Sequence, residues 1–270
     1  MDFAYTDIEQ SQFFLKHEYG DQIKITQDIL LNTILQKLSS PEITQPLFNI
    51  YLKQAYEVLF NKLLSHELIV KNYETKTRMY DQTDKAILKT DCLDESNKVI
   101  CVDLARAGML PSQLLFDKLN LLVSSKNIRQ DHIYAQRVTG DDGTVTGVDF
   151  SGSKIGGDIE KATVILPDPM GATGGTICQA IDHYKNQVKG KALKFISVHL
   201  IITPEFIRTI CAKHPDVIIY AGRIDRGLSE KDILKTIPGT HIEKESGLND
   251  IQYIVPGAGG VGEIINNSFV

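Results

Sequence analysis

Cysteine is scarce in this chain and carries no pattern. Its 270 residues hold four, Cys92, Cys101, Cys178 and Cys211, and no two stand C-x-x-C. Neither a disulfide framework nor a thiolate metal site is indicated, and reduced thiols of a cytosolic protein are expected. No apolar run approaches the ~20 residues of a membrane-spanning helix. The opening residues, M-D-F-A-Y-T-D-I-E-Q, lack the basic-then-apolar order of a secretory signal. Positive charge is not in excess: the net charge of −5 argues against a general nucleic-acid binder and leaves room only for a local basic site. The seven histidines form no H-x-x-x-H or H-E-x-x-H pair, so a zinc hydrolase is not indicated. His183 and His199 are expected as surface or hydrogen-bonded core residues. What is left is an ordinary globular composition, 42% hydrophobic and 23% charged, long enough for one large domain or two small ones with a sizeable core.

Along the chain, residues 1 to about 25 are weakly patterned and predict a loosely held arm. Ile29, Leu30, Ile34, Leu35 and Leu38 recur at helical spacing, and Ser39-Ser40-Pro41 ends that helix. A longer helix is expected from near Pro46, with Leu47, Ile50, Tyr51, Ala55, Val58, Leu59 and Leu63 as its core-facing stripe. Asn72 to Asp94 is polar and punctuated, either a third helix or a loop with a short turn. The first 97 residues thus read as a mostly helical region packed on a core formed by residues 98–270.

From Val99 the texture changes. Val99–Leu104 is a buried-strand run, Ala105-Arg106-Ala107-Gly108 a tight turn, and Pro111 stands in the first turn of a helix. His132–Val138 is a candidate strand, and Thr139–Gly157, rich in Gly, Asp, Thr and Ser, a long mobile loop or hairpin. A strand at Thr163–Leu166, a helix from Gly175 to Val188, a strand at Leu193–Ile202, a helix from Pro204 and a strand at Val217–Tyr220 follow. Strands alternating with helices imply βαβ units and a parallel sheet. Ligands on such sheets sit at the carboxyl ends of the strands, a rule that puts Arg106, Asp168 and Arg223 on one rim.

The chemistry concentrates in T-V-I-L-P-D-P-M-G-A-T-G-G-T, Thr163–Thr176. A strand feeds a loop of small residues and then a helix N-terminus, where unpaired N–H groups and the helix dipole favour an anion. No lysine follows the glycines, so this is not a Walker A loop. The hydroxyls of Thr173 and Thr176 can donate to phosphate oxygens. An ordinary strand-to-helix turn is the alternative. Asp168 suits sugar hydroxyls, or else caps its own turn. Arg106 suits a second anionic group, or else a surface salt bridge. Arg137, at the start of the polar loop, can be carried on a closing lid. Near the end, Tyr253-Ile254-Val255-Pro256-Gly257-Ala258-Gly259-Gly260-Val261-Gly262-Glu263 bares backbone groups that can read a flat polar edge; a flexible tail is the alternative, against which Ile254 and Val255 argue for anchoring in the sheet.

Asp168-Pro169-Met170-x-Ala172-Thr173-Gly174-Gly175-Thr176 resembles the phosphoribosyl-pyrophosphate (PRPP) motif of uracil phosphoribosyltransferases, in which proline follows the acid where other phosphoribosyltransferases carry a second acid. Arg106-Ala107-Gly108-Met109 is similar to the family's R-A-G-L turn. His214-Pro215-Asp216-Val217, Ile224-Asp225-Arg226-Gly227-Leu228 and Tyr253-Ile254-Val255-Pro256-Gly257 agree in order and spacing. The resemblance spans about Leu30 to Ser268 and is most specific over 163–176 and 253–257.

It implies a type I phosphoribosyltransferase fold, an α/β parallel sheet flanked by helices with a small hood. The implied reaction is uracil plus PRPP giving UMP and pyrophosphate, a step of pyrimidine salvage, with Mg²⁺ carried on PRPP. By the same resemblance, Asp168, Met170, Ala172, Thr173, Gly174, Gly175 and Thr176 hold the ribose phosphate. Asp168, Arg106 and Arg137 serve catalysis, and Tyr253, Ile254, Gly257, Gly259, Gly260 and Val261 hold the base. A cytoplasmic homo-oligomer, dimer or tetramer, is implied. Two departures stand out. Gly260 occupies a place where the family carries an aspartate, with Glu263 keeping a later acid that is able to meet Mg²⁺. About twenty residues are inserted, so that Gly227-Leu228-Ser229-Glu230 and Gly247-Leu248-Asn249-Asp250 look like two copies of one turn. A PRPP- or nucleotide-binding regulator on the same scaffold, or an enzyme for another base, is the alternative that Gly260 raises.

Overall fold

The computed structural model describes residues 13–139 and 145–268, with side chains described outside 135–151. In chain order the elements are β1 (Ile23–Ile25), α1 (Ile29–Leu38), α2 (Leu47–Glu67), β2 (Val70–Lys76), β3 (Ile87–Leu93), β4 (Val99–Ala105), α3 (Met109–Leu122), β5 (Ile128–Thr139), β6 (Val145–Lys154), β7 (Thr163–Pro167), β8 (Met170–Gly171), α4 (Gly175–Gln187), β9 (Lys194–Ile202), α5 (Pro204–Lys213), β10 (Ile218–Ile224), α6 (Lys231–Leu234) and α7 (Val261–Asn266). One eight-stranded sheet runs β1-β10-β9-β7-β4-β5-β6, with β8 added beside β9. Its pairs are parallel except for β5 with β6. This is the α/β parallel sheet flanked by helices that the sequence predicts. Among the described residues, no helix is long and apolar enough to cross a membrane.

Both faces of the central strands are buried, which is why β4, β7 and β9 read as continuous apolar runs. On one face Val99, Cys101, Ile165 and Val198 pack with Leu35 of α1, Leu59 of α2 and Leu115 of α3. On the other, Ile100, Val164, Ile202 and Ile219 pack with Ile181 of α4 and Phe206 of α5. The helices begin where their caps say: Asp28 accepts the Leu31 N–H, and Thr203, ahead of Pro204, accepts that of Phe206.

Four expectations need correction. The arm before residue 25 is not loose over its described part. Leu15, Tyr19, Ile23 and Ile25 are buried, and β1 adds a parallel strand to the β10 edge. A three-residue strand is too short to show a period, and its partner lies some 200 residues on. Asn72–Asp94 is neither helix nor loop. With Val70 it forms the antiparallel hairpin β2–β3, whose strands are exposed on both sides. With no face buried, no alternation is written into it. The N-terminal region is therefore helical only across α1 and α2. The stripes of those helices hold in part, with Ile34, Leu35, Leu38, Ala55, Leu59 and Leu63 buried, but not throughout. Ile29, Leu30, Leu47 and Ile50 are exposed, while Leu31, Phe48, Leu52, Tyr56 and Phe60 are buried. Apolar residues nearly encircle the start of α2, so periodicity alone left its inward face undetermined. Of the polar segment Thr139–Gly157, the part from Val145 to Lys154 pairs with β5 as a hairpin.

Candidate active site

The parallel strands deliver their carboxyl ends to one rim. β4 ends in the Arg106 turn, which Gly108 presses down. A Cβ there would stand 2.8 Å from the Leu104 backbone and 2.9 Å from the Pro167 carbonyl oxygen. That close approach brings the turn beside the end of β7, one residue before Asp168. Arg106 is exposed and donates to the Ser268 hydroxyl at 2.9 Å.

Asp168 is fixed through its backbone. Its N–H donates to Val198 O at 2.9 Å, and its carbonyl accepts Nδ1–H of His199 at 2.7 Å. Its Oδ1 accepts the Met170 N–H at 3.0 Å, so it also caps its own turn. His199 is fully buried between this carbonyl and the Phe206 ring. Burial pushes its pKa down to about 3, so it is a neutral strut. Beneath the acid, burial lifts the phenol of Tyr56 from α2 well above its ordinary range, and the Asp168 charge adds to the shift.

The loop from Ala172 to Thr176 wraps the start of α4. Gly171 is packed so that a Cβ would meet Ile202 at 2.8 Å, and Thr203 donates to Ala172 O at 2.6 Å. Gly174 takes φ +83° as the N-cap of α4, a conformation that disfavours any side chain. Thr173 is exposed, and the first-turn N–H groups of α4, which have no acceptor one turn back, face this loop. With the dipole of a 13-residue helix behind them, they are suited to an anion.

The C-terminal segment closes over the same rim. Gly262 lies against Ala107, where an added Cβ would be 3.3 Å from the Ala107 Cβ. Ile254, Val261 and Ile265 enter the core beside α1 and α2, and Gln45 and Asn49 hold the Ile265 carbonyl. Tyr253 is partly exposed, and its N–H donates to Asn249 Oδ1 at 2.9 Å. Gly257 and Gly259 take φ +63° and +71°. Gly260 does not; there a Cβ would collide with the Glu263 carboxylate.

Arg106, the 168–176 segment and the 257–262 loop thus share one rim. Arg137 stands opposite Val148 in the β5–β6 ladder; its side chain lies outside the described residues, so its predicted role rests on sequence alone. Arg223 is at the rim but its guanidinium is engaged with Asp225, Ser39 and Gly257. Sequence reasoning missed Asp225 as a support of the C-terminal loop; the signal was an acid and a base two apart at a strand end, on one face. It also missed the buried Asp103, paired to His132 at 2.8 Å across β4 and β5. Burial pushes the Asp103 carboxyl up, and the bond from His132 opposes the shift.

The thiols have no role that needs activation. Burial raises Cys178 to about 11 and lifts Cys101 and Cys211 as well, so these remain protonated near neutrality. Among the described residues no group of three or more His, Cys, Asp or Glu side chains comes together as a metal site.

The family model described as Uracil phosphoribosyltransferase matches residues 25–241. A uracil phosphoribosyltransferase of Dictyoglomus thermophilum is 34% identical over 214 residues, covering 78% of this chain and 86% of that protein. One of Thermoanaerobacter pseudethanolicus is 28% identical over 228 residues, 84% and 87% of the two chains. Among solved structures, the AQ2163 protein of Aquifex aeolicus aligns at a TM-score of 0.67 and 21% identity, covering 90% of this chain and 97% of that one, a likeness of fold. The matched span contains the Arg106 turn and the whole 168–176 cradle and stops short of residues 253–263. The chain belongs to the uracil phosphoribosyltransferase family.

Proposed function

We propose that this protein transfers the phosphoribosyl group of PRPP to uracil, giving UMP and pyrophosphate. The observation that carries the reading is the convergence of three groups on one rim: the small-residue cradle with Asp168, the Arg106 turn, and the C-terminal loop that lies on Ala107. A bond forms between a uracil ring nitrogen, which gives up its proton to solvent, and C1′ of the ribose. The bond from C1′ to the pyrophosphate oxygen breaks. The cradle of Ala172–Thr176 would bind the 5′-phosphate, and Asp168 the ribose hydroxyls as C1′ gains positive character. Arg106, with Arg137 from the β5–β6 hairpin, would neutralise charge building on the leaving group. Hairpin closure would exclude water, since PRPP hydrolysis competes. Backbone groups of the loop around Gly259 and Gly260 would read the base. Mg²⁺ would arrive on PRPP and share in charge neutralisation; Asp168 and Glu263 are the rim acids suited to its water shell. A cytoplasmic homo-oligomer, dimer or tetramer, belongs to the same reading.

The test is UMP formation from labelled uracil, PRPP and Mg²⁺. The expected result is turnover that falls about a hundred-fold or more in Arg106→Ala, on the scale of one lost transition-state contact. Saturable PRPP binding without UMP would overturn the enzyme reading. Glu263 at the Gly260 position weighs against a non-catalytic regulator, because the rim still carries an acid there.

A further inference from the structure

Gly257 is held by both of its backbone polar groups. Its N–H donates to Asp225 Oδ2 at 2.7 Å, and its carbonyl accepts from Arg223 Nη2 at 3.2 Å. The two side chains are themselves joined in a two-pronged pair, Nε to Oδ1 at 2.6 Å and Nη2 to Oδ2 at 2.8 Å. They are 15% and 2% exposed. The third arm of the fork, Nη1, donates to Ser39 Oγ at 3.2 Å at the end of α1. Nearby, Gly227 N–H donates to Val255 O at 3.0 Å. The strand end β10, the first helix and the C-terminal loop therefore meet at one guanidinium.

A buried ion pair is weak evidence for stability, since desolvation offsets much of its attraction. Its geometry is another matter. A planar fork imposes direction as well as charge. The loop it grips is glycine-rich and would otherwise sample many conformations, yet it must present backbone groups to a ligand within about 0.5 Å. We propose that Arg223 and Asp225 are positioning residues for base recognition. They fix the Gly257 peptide and with it the course of the loop through Gly259 and Gly260, whose Gly259 O–Val261 N–H and Gly260 O–Glu263 N–H bonds, each 3.0 Å, then set one arrangement of the backbone facing the base. Arg223 is thereby used up in this role and does not neutralise pyrophosphate. This rests on the phosphoribosyltransferase reading of the site.

The experiment compares the wild-type chain with Arg223→Ala and Arg223→Lys. In steady-state assays, Arg223→Ala raises the KM for uracil about ten-fold, the scale of a lost charge-assisted hydrogen bond, and leaves the KM for PRPP within about two-fold. Millimolar guanidinium partly restores the uracil KM, and Arg223→Lys, with charge but no fork, falls between. An unchanged uracil KM, or equal rises for both substrates, overturns the proposal, the latter pointing to a merely structural role. Amide hydrogen exchange over residues 255–261 is measured on the same proteins. Arg223→Ala speeds exchange there and leaves β4 and β7 unchanged; equal exchange in this loop overturns the proposal even if the wild-type chain makes no UMP, an outcome that separately overturns the activity reading.

Discussion

The carboxylate of Glu263 lies where a Cβ on Gly260 would have to stand. Glu263 is in the first turn of α7, and its N–H donates to Gly260 O at 3.0 Å, so its side chain folds back over that glycine. Glu263, which by the resemblance stands at the family's later acid, thus lies beside the position where an aspartate is expected. Gly260→Ala must turn this flexible end aside, at a cost to stability under about 1 kcal/mol. UMP formation is expected to fall about ten-fold, as in Glu263→Ala, while Gly260→Asp exchanges one carboxylate for another and retains more activity than Gly260→Ala. The three variants are compared by kcat/KM and Tm. A Gly260→Ala protein with full activity would remove Glu263 from the site.

The cradle depends on a left-handed residue. Gly174 has φ +83°, and a Cβ would also press on Thr209 at 3.2 Å. Gly174→Ala is expected to cost about 1–2 kcal/mol from the backbone alone. It turns the first N–H groups of α4 away from the loop, so the KM for PRPP rises more than that for uracil. Thermal unfolding and the two KM values measure the two effects. Gly108→Ala tests the turn between β4 and α3. Its Cβ meets backbone of both Leu104 and Pro167, which cannot give way as a side chain can, so stability falls further, by about 1–3 kcal/mol.

Much of this was legible because β4, β7 and β9 bury both faces and the cradle lies in one contiguous stretch, 168–176. The hairpin β2–β3 was not, since its exposed strands carry no alternation. The arm at β1 was not, since what orders it is the edge of β10, far along the chain. The Arg223–Asp225–Gly257 contact was hidden for a related reason. Sequence shows that Gly257 belongs to a glycine-rich loop, but not which side chains, more than thirty residues earlier, hold its peptide. Glu263 was visible as an acid, yet its placement over Gly260 depends on the backbone direction at the start of α7.

Stability should depend on pH through His199. Its folded-state pKa is pushed down to about 3 by burial, against an unfolded value near 6.5. Below pH 6.5 the unfolded chain binds a proton that the folded chain refuses. The histidine's contribution is therefore complete above that pH and declines as the pH falls toward 3. At pH 5 the loss is about 2 kcal/mol relative to pH 7.5. His17, also lowered chiefly by burial, acts in the same direction. Denaturant unfolding at the two pH values measures this. In His199→Asn, which keeps a donor for the Asp168 carbonyl but cannot titrate, the difference between pH 7.5 and 5 should shrink by about that amount. An equal slope in both proteins would mean that His199 is protonated without cost in the folded state.

Segment 229–246 is organised around one buried ion pair remote in sequence from the cradle. Arg226 and Glu245 are both buried to 1% exposure or less and meet at 3.1 Å. Arg226 also donates to Thr236 O at 2.7 Å and Leu234 O at 3.3 Å, and Glu245 accepts the Gly239 N–H at 2.8 Å and the Tyr19 hydroxyl. Glu18 N–H donates to Pro238 O at 2.8 Å. This segment and the N-terminal arm are thus latched to each other through the Glu245 carboxylate and one backbone hydrogen bond. Removing one partner leaves the other charge buried, a loss of about 3–5 kcal/mol. Glu245→Ala should therefore lose stability on that scale, and Glu245→Gln, which keeps an acceptor, less. Tyr19→Phe, which deletes one donor to a charged group, should lose about 1.5–3 kcal/mol. Because the latch bonds described above join residues outside the 168–176 loop, PRPP affinity measured where the variants remain folded should stay within about two-fold of wild type, a difference of under about 0.5 kcal/mol. A Glu245→Ala protein as stable as wild type would show that water reaches Arg226 and that the latch does not hold the arm. Weakened PRPP binding at full folding would instead mean that the arm and the insertion set the shape of the rim.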